Sequence, residues 1–537
     1  MLLIIVGIVV QIRALSPYYE KLQPVPGGTF TEGILGAFTN ANPLYATGSV
    51  DSSVARLIFP SLMRYDSHGR LINGLAEKVS VDPRGTVYTV TLRPNLVWQD
   101  GEPLNAEDVV FTYKTIQNPD AKSPLLSSWQ GIKVAIVNNR TVSFTLPNAL
   151  SSFPYSLTNG IVPLHILGGI PVPELRSASF NTTKPIGAGP FKWETIEVQN
   201  LGSDSREERI GLVPNNLYYG GVPKLQRFII RAFHDEKNLL ASLKARELNG
   251  MVGLEALPDV YADIPDVHTY NIPINGEVAV FLKASNPALA DTKVRQALVM
   301  AVNVRDTRKV LGFPVIGANG PLLRSHVGYD RTFVELSFNA DEANKLLDAA
   351  GWVKGADGIR AKGGTKLTFQ LYSENTSDYS SIAQSLKEQW KMIGVEVQVN
   401  LQQDADLQAT IASHGYDALL FGILLGPDPD VFPFWHSSQA DPRSVGRLNL
   451  SEYKSKVADM SLEAGRTRFD ATLRAVKYRP FLEAWRADAP AVVLYQPRLL
   501  YVGYGGIFGF EPHLINNPTD RYANVENWMI LQEKTYK

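Results

Sequence analysis

The 537-residue chain contains no cysteine. That excludes disulfides, thiolate metal centres, a cysteine nucleophile and a lipid-modified cysteine near the N-terminus. It fits an exported protein, although cytosolic chains can lack cysteine too. An excess of one charge is also missing. The 52 Lys and Arg nearly cancel the 53 Asp and Glu, for a net charge of −1, whereas a nucleic-acid partner calls for a basic footprint. Catalytic signatures are absent as well. There is no His-Glu-x-x-His, no Gly-x-Ser-x-Gly, no phosphate loop and no Gly-x-Gly-x-x-Gly. The eight histidines are scattered, so no metal and no cofactor are expected. A carboxylate pair of the glycosidase kind can be drawn from 53 acids in many ways. A secreted hydrolase therefore stays open as an alternative.

A full-length apolar span is lacking at the start. Residues 2–10 are a nine-residue apolar run, short of the roughly twenty that cross a membrane. Arg13 lies on the wrong side of the run for a secretory signal, and Ile12-Arg13-Ala14 is a poor cleavage site. Residues 16–28 are polar, aromatic and proline-containing, like a linker leaving a membrane. The expectation for residues 1–27 is the remnant of a membrane anchor whose start lies upstream. A buried N-terminal strand or helix is the alternative.

What is present is globular patterning. At 45% hydrophobic and 20% charged residues, the chain has the ordinary balance of a folded protein, and its length allows roughly three or four domains. Alternating, β-branched segments predict strands at 29–35, 87–92, 141–146, 225–233 and 395–399, and the apolar run 416–425 predicts a buried one. Helical spacing predicts helices over 51–59, 291–303, 341–350, 377–393 and 465–486. The clearest local signal is the helix beginning at Asn105. Asn105 and Asp108 stand at cap and third position, a variant capping box. Val109, Val110 and Tyr113 follow on one face, and Asn118-Pro119 stops the helix. Helices and strands mix throughout without repeats, which predicts a mixed α/β or α+β protein.

Several of these stretches, in order, resemble one family: the extracellular solute-binding proteins of family 5, the peptide, dipeptide and nickel-binding components of ABC importers. They are NPLY at 42–45, LIFPSLM at 57–63, LAE at 75–77, YTVTL at 88–92 and LRPNLVWQDGEPLNAEDVV at 92–110. PIGAGPF at 185–191, VRQAL at 294–298 with AVN at 301–303, YDAL at 416–419, DPD at 428–430 and HSSQ at 436–439 complete the set. The resemblance runs from about residue 28 to the C-terminus. It implies a two-lobed periplasmic-binding-protein-like fold with a hinge, and an extra domain on lobe one. The expected division is 28–50, 186–275 and 495–537 for lobe one, 51–185 for the extra domain and 276–494 for lobe two. The chain would cross between lobes near Ile274 and near Tyr495.

The resemblance implies a monomeric, extracytoplasmic binding protein, not an enzyme. It would capture an oligopeptide by hinge closure and deliver it to an ABC permease driven by ATPase subunits, held to the membrane through its N-terminal segment. The same scaffold could instead bind an oligosaccharide or other solute, or serve as a surface adhesion or signalling protein. In the resembling peptide binders an aspartate within the segment matching residues 421–435 pairs with the ligand's amino terminus. Asp428 and Asp430 are available here. If the position falls a few residues earlier, the chain has Leu424 and Leu425 and no acid. Asp428-Pro429-Asp430 also reads as a turn whose aspartates bond their own backbone. Trp435 and Trp129 are candidates for lining the cleft, or for core packing. Asn42 and Tyr45 sit in a loop that either faces the cleft or is simple turn chemistry.

Overall fold

A computed structural model of the chain describes residues 20–200, 206–428, 430–443 and 448–536. The apolar run and most of its linker lie outside the described residues. No helix among those described is long and apolar enough to cross a membrane.

Two large sheets organise the chain. The first has seven strands, in the spatial order Val267–Pro273, Arg498–Tyr504, Gly250–Val252, Thr29–Leu35, Arg227–Phe233, Arg206–Pro214 and Phe191–Asn200. The second has six, in the order Ile316–Gly317, Ala491–Gln496, Gly276–Leu282, Ala418–Leu424, Thr368–Glu374 and Glu396–Gln402. A smaller antiparallel sheet of four strands carries Ala76–Val81, Val87–Leu92, Thr141–Thr145 and Lys133–Asn138.

The helix expected from Asn105 forms over Ala106–Gln117 on the smaller sheet. The Asn105 side chain accepts from Glu107 N at 2.7 Å, and Asn105 N donates to Asp108 Oδ2 at 2.9 Å. The reciprocal cap satisfies donors that a helix start otherwise leaves bare. Asp108 does more than cap: its Oδ1 accepts from Leu164 N at 2.9 Å, fixing the return of the chain beneath the helix. One departure from the expected helices is instructive. The stretch 465–486 is not one helix but the meeting of two, Lys456–Arg466 and Ala471–Asp488. Gly465 permits the tight packing, since a Cβ there would meet the Tyr478 ring at 2.2 Å. Pro480 lies inside the second helix and lacks the N–H of a regular turn. The Ser461 hydroxyl of the first helix fills in, accepting from Phe481 N at 3.0 Å and donating to Lys477 O at 2.5 Å.

The apolar side chains divide as the sheets do. One cluster runs unbroken from the inner face of the seven-stranded sheet, through Phe30, Phe228 and Trp528, into the four-stranded domain, through Tyr88, Tyr113 and Trp129. The six-stranded sheet has two clusters of its own, one on each face. The first two units thus share a core and the third does not.

The chain passes from the first large sheet to the second between Pro273 and Gly276, and returns between Gln496 and Arg498. Ile274 N donates to Pro497 O at 3.0 Å, so the two passes are bonded to each other. Asn275 at the crossing is 1% exposed. Its N–H reaches Ile515 O at 2.8 Å, and its C=O accepts from Leu425 N and Gly426 N. Its side chain accepts from Ser325 Oγ at 2.8 Å and donates to Asn516 Oδ1 at 2.6 Å.

Immediately beyond lies Glu277, fully buried, with no hydrogen-bond partner among the described residues for either carboxylate oxygen. Burial alone pushes its carboxyl up to about 8. A carboxyl raised by folding contributes its full stability below the ordinary carboxylate range, and this is lost as pH rises toward the folded value. The slope is at most about 1.4 kcal/mol per pH unit. Glu277→Gln, which mimics the protonated acid, should therefore melt above the wild type by a wider margin at about pH 8.5 than at about pH 5. Equal margins in the two melts would show that Glu277 does not titrate in this window.

Candidate functional site

The loop after the strand Thr29–Leu35 is built by asparagine turns. Asn42 is fully buried. Its side chain accepts from Leu44 N and donates to Asn181 Oδ1, both at 3.0 Å, while its carbonyl accepts from Tyr45 N and Ala46 N. Tyr45 is 4% exposed beneath the same loop, with Arg176 over its ring. Burial raises its hydroxyl above the ordinary tyrosine range. These residues shape the loop, and their neighbours Pro43, Ala46 and Thr47 face outward to line a cavity.

Helix Ser49–Ile58 continues from the loop, and its C-terminal end is held by the loop at 185–191. A Cβ on Gly187 would meet Ile58 O at 2.0 Å, and one on Gly189 would meet Leu57 O at 2.6 Å. Only glycine lets the backbone come so close. Gly189 N then donates to Ile58 O at 2.8 Å, and Gln99 N to Gly187 O at 2.9 Å.

The cavity so framed has a volume of about 410 Å³. Ser49, Ser52 and Arg56 come from the helix, Thr158 and Asn159 from the four-stranded domain, and Val252, Gly253 and Leu499 from strand ends beside the crossing. Asn517, Thr519 and Arg521 close the far wall. Arg521 is held from behind. Its Nε and Nη2 donate to the two oxygens of Glu32 at 3.1 and 2.9 Å, its Nη2 to Ser53 Oγ at 2.9 Å and its Nη1 to Pro518 O at 2.8 Å. Glu32 and Arg521 are both essentially without solvent exposure.

In the six-stranded unit the candidate acids are already engaged. Asp428 forms a two-pronged ion pair with Arg474, and both side chains are at most 5% exposed. Burial pushes the Asp428 carboxyl up to about 6, outweighing the downward pull of Arg474. Asp430 pairs with Arg466 at 2.7 Å. The Arg466 guanidinium lies 4.0 Å over the Phe432 ring, and Phe432 stacks on His436 at 4.0 Å. Leu424 is 52% exposed, while Leu425 is buried with its N–H on Asn275 O. Trp435 is fully buried between Phe281 and Trp485. Trp129 is 1% exposed among Tyr113, Phe144 and Phe153. Neither tryptophan lines the cavity; both are enclosed by core side chains. Asn42 and Tyr45 lie beneath the cavity wall, whereas the other candidates lie in the six-stranded unit or in the core of the four-stranded domain.

The unit with the six-stranded sheet touches the other two across the gap. Ser151 donates from N and Oγ to Arg466 O at 3.0 and 2.9 Å, and Ser377 Oγ donates to Glu255 Oε2 at 2.8 Å.

The sequence profile of the bacterial extracellular solute-binding proteins, family 5 (middle), matches residues 70–443. The chain belongs to this family. The oligopeptide-binding protein AppA of Bacillus subtilis is 26% identical over 95% of this chain and 93% of its own length. Protein XP55 of Streptomyces lividans is 28% identical over 88% of this chain and 84% of its own. The solved structure of AppA with a nonapeptide superposes with a TM-score of 0.76, covering 95% of this chain and all of that one. NikZ of Campylobacter jejuni, solved with Ni(L-His), superposes at 0.77 with 25% identity, covering 93% of this chain and 99% of its own. The two-lobed fold of family 5 solute-binding proteins is thus the fold of this chain.

The cavity residues Arg56, Ser52, Asn159 and Thr519 were not singled out by sequence. They come from three segments far apart in sequence, and single serines and threonines carry no periodic signal. Arg56 left a trace: it stands off the apolar face of its helix.

For a family 5 protein whose acids at 428 and 430 are paired, the first question is what the pairing holds. Arg474→Met should cost roughly 3 kcal/mol in a urea melt by stranding Asp428. Adding Asp428→Leu should recover most of that. A single variant as stable as the wild type would show that the pair has no structural role.

Proposed function

We propose that this protein is the extracytoplasmic binding component of an ABC importer that captures oligopeptides between its lobes and presents them to a membrane permease. The observation that carries the reading is a cavity beside a two-strand crossing, in a chain that aligns over 95% of its length with an oligopeptide-binding protein. A ligand touching both lobes only when they are closed biases the hinge toward closure by its difference in affinity for the two states. An extended peptide suits such a cleft because its backbone can be held strand-fashion whatever its side chains.

We assign residues 28–50, 186–275 and 495–537 to lobe one, 51–185 to the extra domain and 276–494 to lobe two. The separate apolar clusters support the boundary between lobe two and the rest, and the crossings support its position to within two residues, since Tyr495 and Gln496 stand on the six-stranded sheet. The family is one of binding proteins, so we take the chain to bind its solute without transforming it. Anchoring to the membrane is the finer reading. Its support is the apolar composition of residues 2–10.

A tightly bound ligand survives purification because stabilisation follows the ratio of its concentration to its dissociation constant. Denaturing the purified full chain and identifying what it releases by mass spectrometry is expected to give a mixture of short peptides. Release of one non-peptide solute would keep the fold and remove the peptide.

A further inference from the structure

The charged residues lining the cavity are two arginines, Arg56 and Arg521, and no carboxylate. They are not equivalent. Arg521 is neutralised by Glu32 behind the wall. Arg56, half-buried on the helix Ser49–Ile58, has no hydrogen bond and no ion pair with any described residue. Asp520 senses its field, but Asp520 Oδ2 is occupied by the N–H groups of Asn516 and Asn517 at 3.1 Å. The two acids that the sequence marks out in lobe two are held by Arg474 and Arg466. Arg56 is therefore the lining charge that no described carboxylate bonds.

Closing a lobe over an unpaired cation strips its water, which is costly unless an anion replaces it. A carboxylate is the group that fits a guanidinium best, through paired charge-assisted hydrogen bonds. Ser49 and Ser52 offer hydroxyls on the same wall. We propose that Arg56 anchors a carboxylate of the solute, so that the cleft selects ligands with an acidic group at the end held by the helix Ser49–Ile58. The inference rests on the binding-protein reading, and it gives the ligand a direction: the acid, not the amine, is fixed at the helix Ser49–Ile58. In a peptide the carboxylate is either the C-terminus or an Asp or Glu side chain.

The test is calorimetric titration of the full chain with pentaalanine, its C-terminal amide, its N-acetyl form, and an amidated pentapeptide with a central glutamate. A charge-assisted bond lost to amidation should weaken binding about 10-fold to 100-fold, and N-acetylation less than about threefold. Recovery of affinity in the glutamate amide would assign the side chain as the source, and failure to recover would assign the terminus. Arg56→Gln should bring acid and amide to equal affinity, while Arg56→Lys should keep part of the difference. Equal binding of acid and amide by the wild type overturns the proposal, even if the variants do not fold. So does loss of binding on N-acetylation, or a preference that survives in Arg56→Gln. If no peptide binds, the peptide reading fails separately. Thermal shifts with paired sugar acids and neutral sugars then decide. Stabilisation by the acid in the wild type but not in Arg56→Gln supports Arg56, and stabilisation by neutral solutes alone, or by none, overturns it.

Discussion

The architecture depends on two short stretches of backbone, residues 273–276 and 496–498, which join two sheets of seven and six strands. They are bonded to each other through Ile274 and Pro497, and Asn275 between them reaches partners on both sides. A single connection would let the sheets wander. Two connections side by side restrict them to swinging about the line joining the passes, as hinge motions need. The saturated hydrogen bonding of Asn275 keeps the crossing in one conformation while the flanking backbone takes up the change.

Where the apolar surface goes decides which parts move together. Packed interiors transmit displacement because they have little free volume. The continuous cluster joining Phe30 and Trp528 to Tyr113 and Trp129 makes lobe one and the four-stranded domain one body. The clusters around Trp390 and around Trp435 belong to the other body. Between the bodies the described contacts include polar ones, Ser151 to Arg466 and Ser377 to Glu255, and ring contacts, Phe469 near Tyr88 and Arg498 over Phe313. The polar ones form and break at small net cost, since water replaces each partner.

Local chemistry was legible and long-range burial was not. The Asn105 cap, the strand Val87–Leu92 and the helix Ser377–Met392 follow from neighbours a few residues apart. The late helical pair breaks at 467–470, where Asp470 caps the second helix by accepting from Leu473 N, whereas the packing of Gly465 on Tyr478 is a contact between helices that no local pattern shows. The tryptophans leave two readings open, cleft or core, for a related reason. A ring suits a pocket or a core equally well, and only its surroundings distinguish them. The ion pairs of Asp428 and Asp430 are not legible locally because Arg474 and Arg466 lie about forty residues away. Arg56 illustrates the converse, since its significance lies in partners it does not have.

The hydroxyl of Ser461, inserted beside Pro480, ties two positions of the chain into one evolutionary unit. A proline in mid-helix is ordinarily selected against, and a serine facing a neighbouring helix has little to recommend it. Together each supplies what the other lacks, so neither is easily exchanged alone. Sequences drifting from this one should therefore keep both residues or lose both, and the helical pair that carries Arg466 and Arg474 inherits that conservatism.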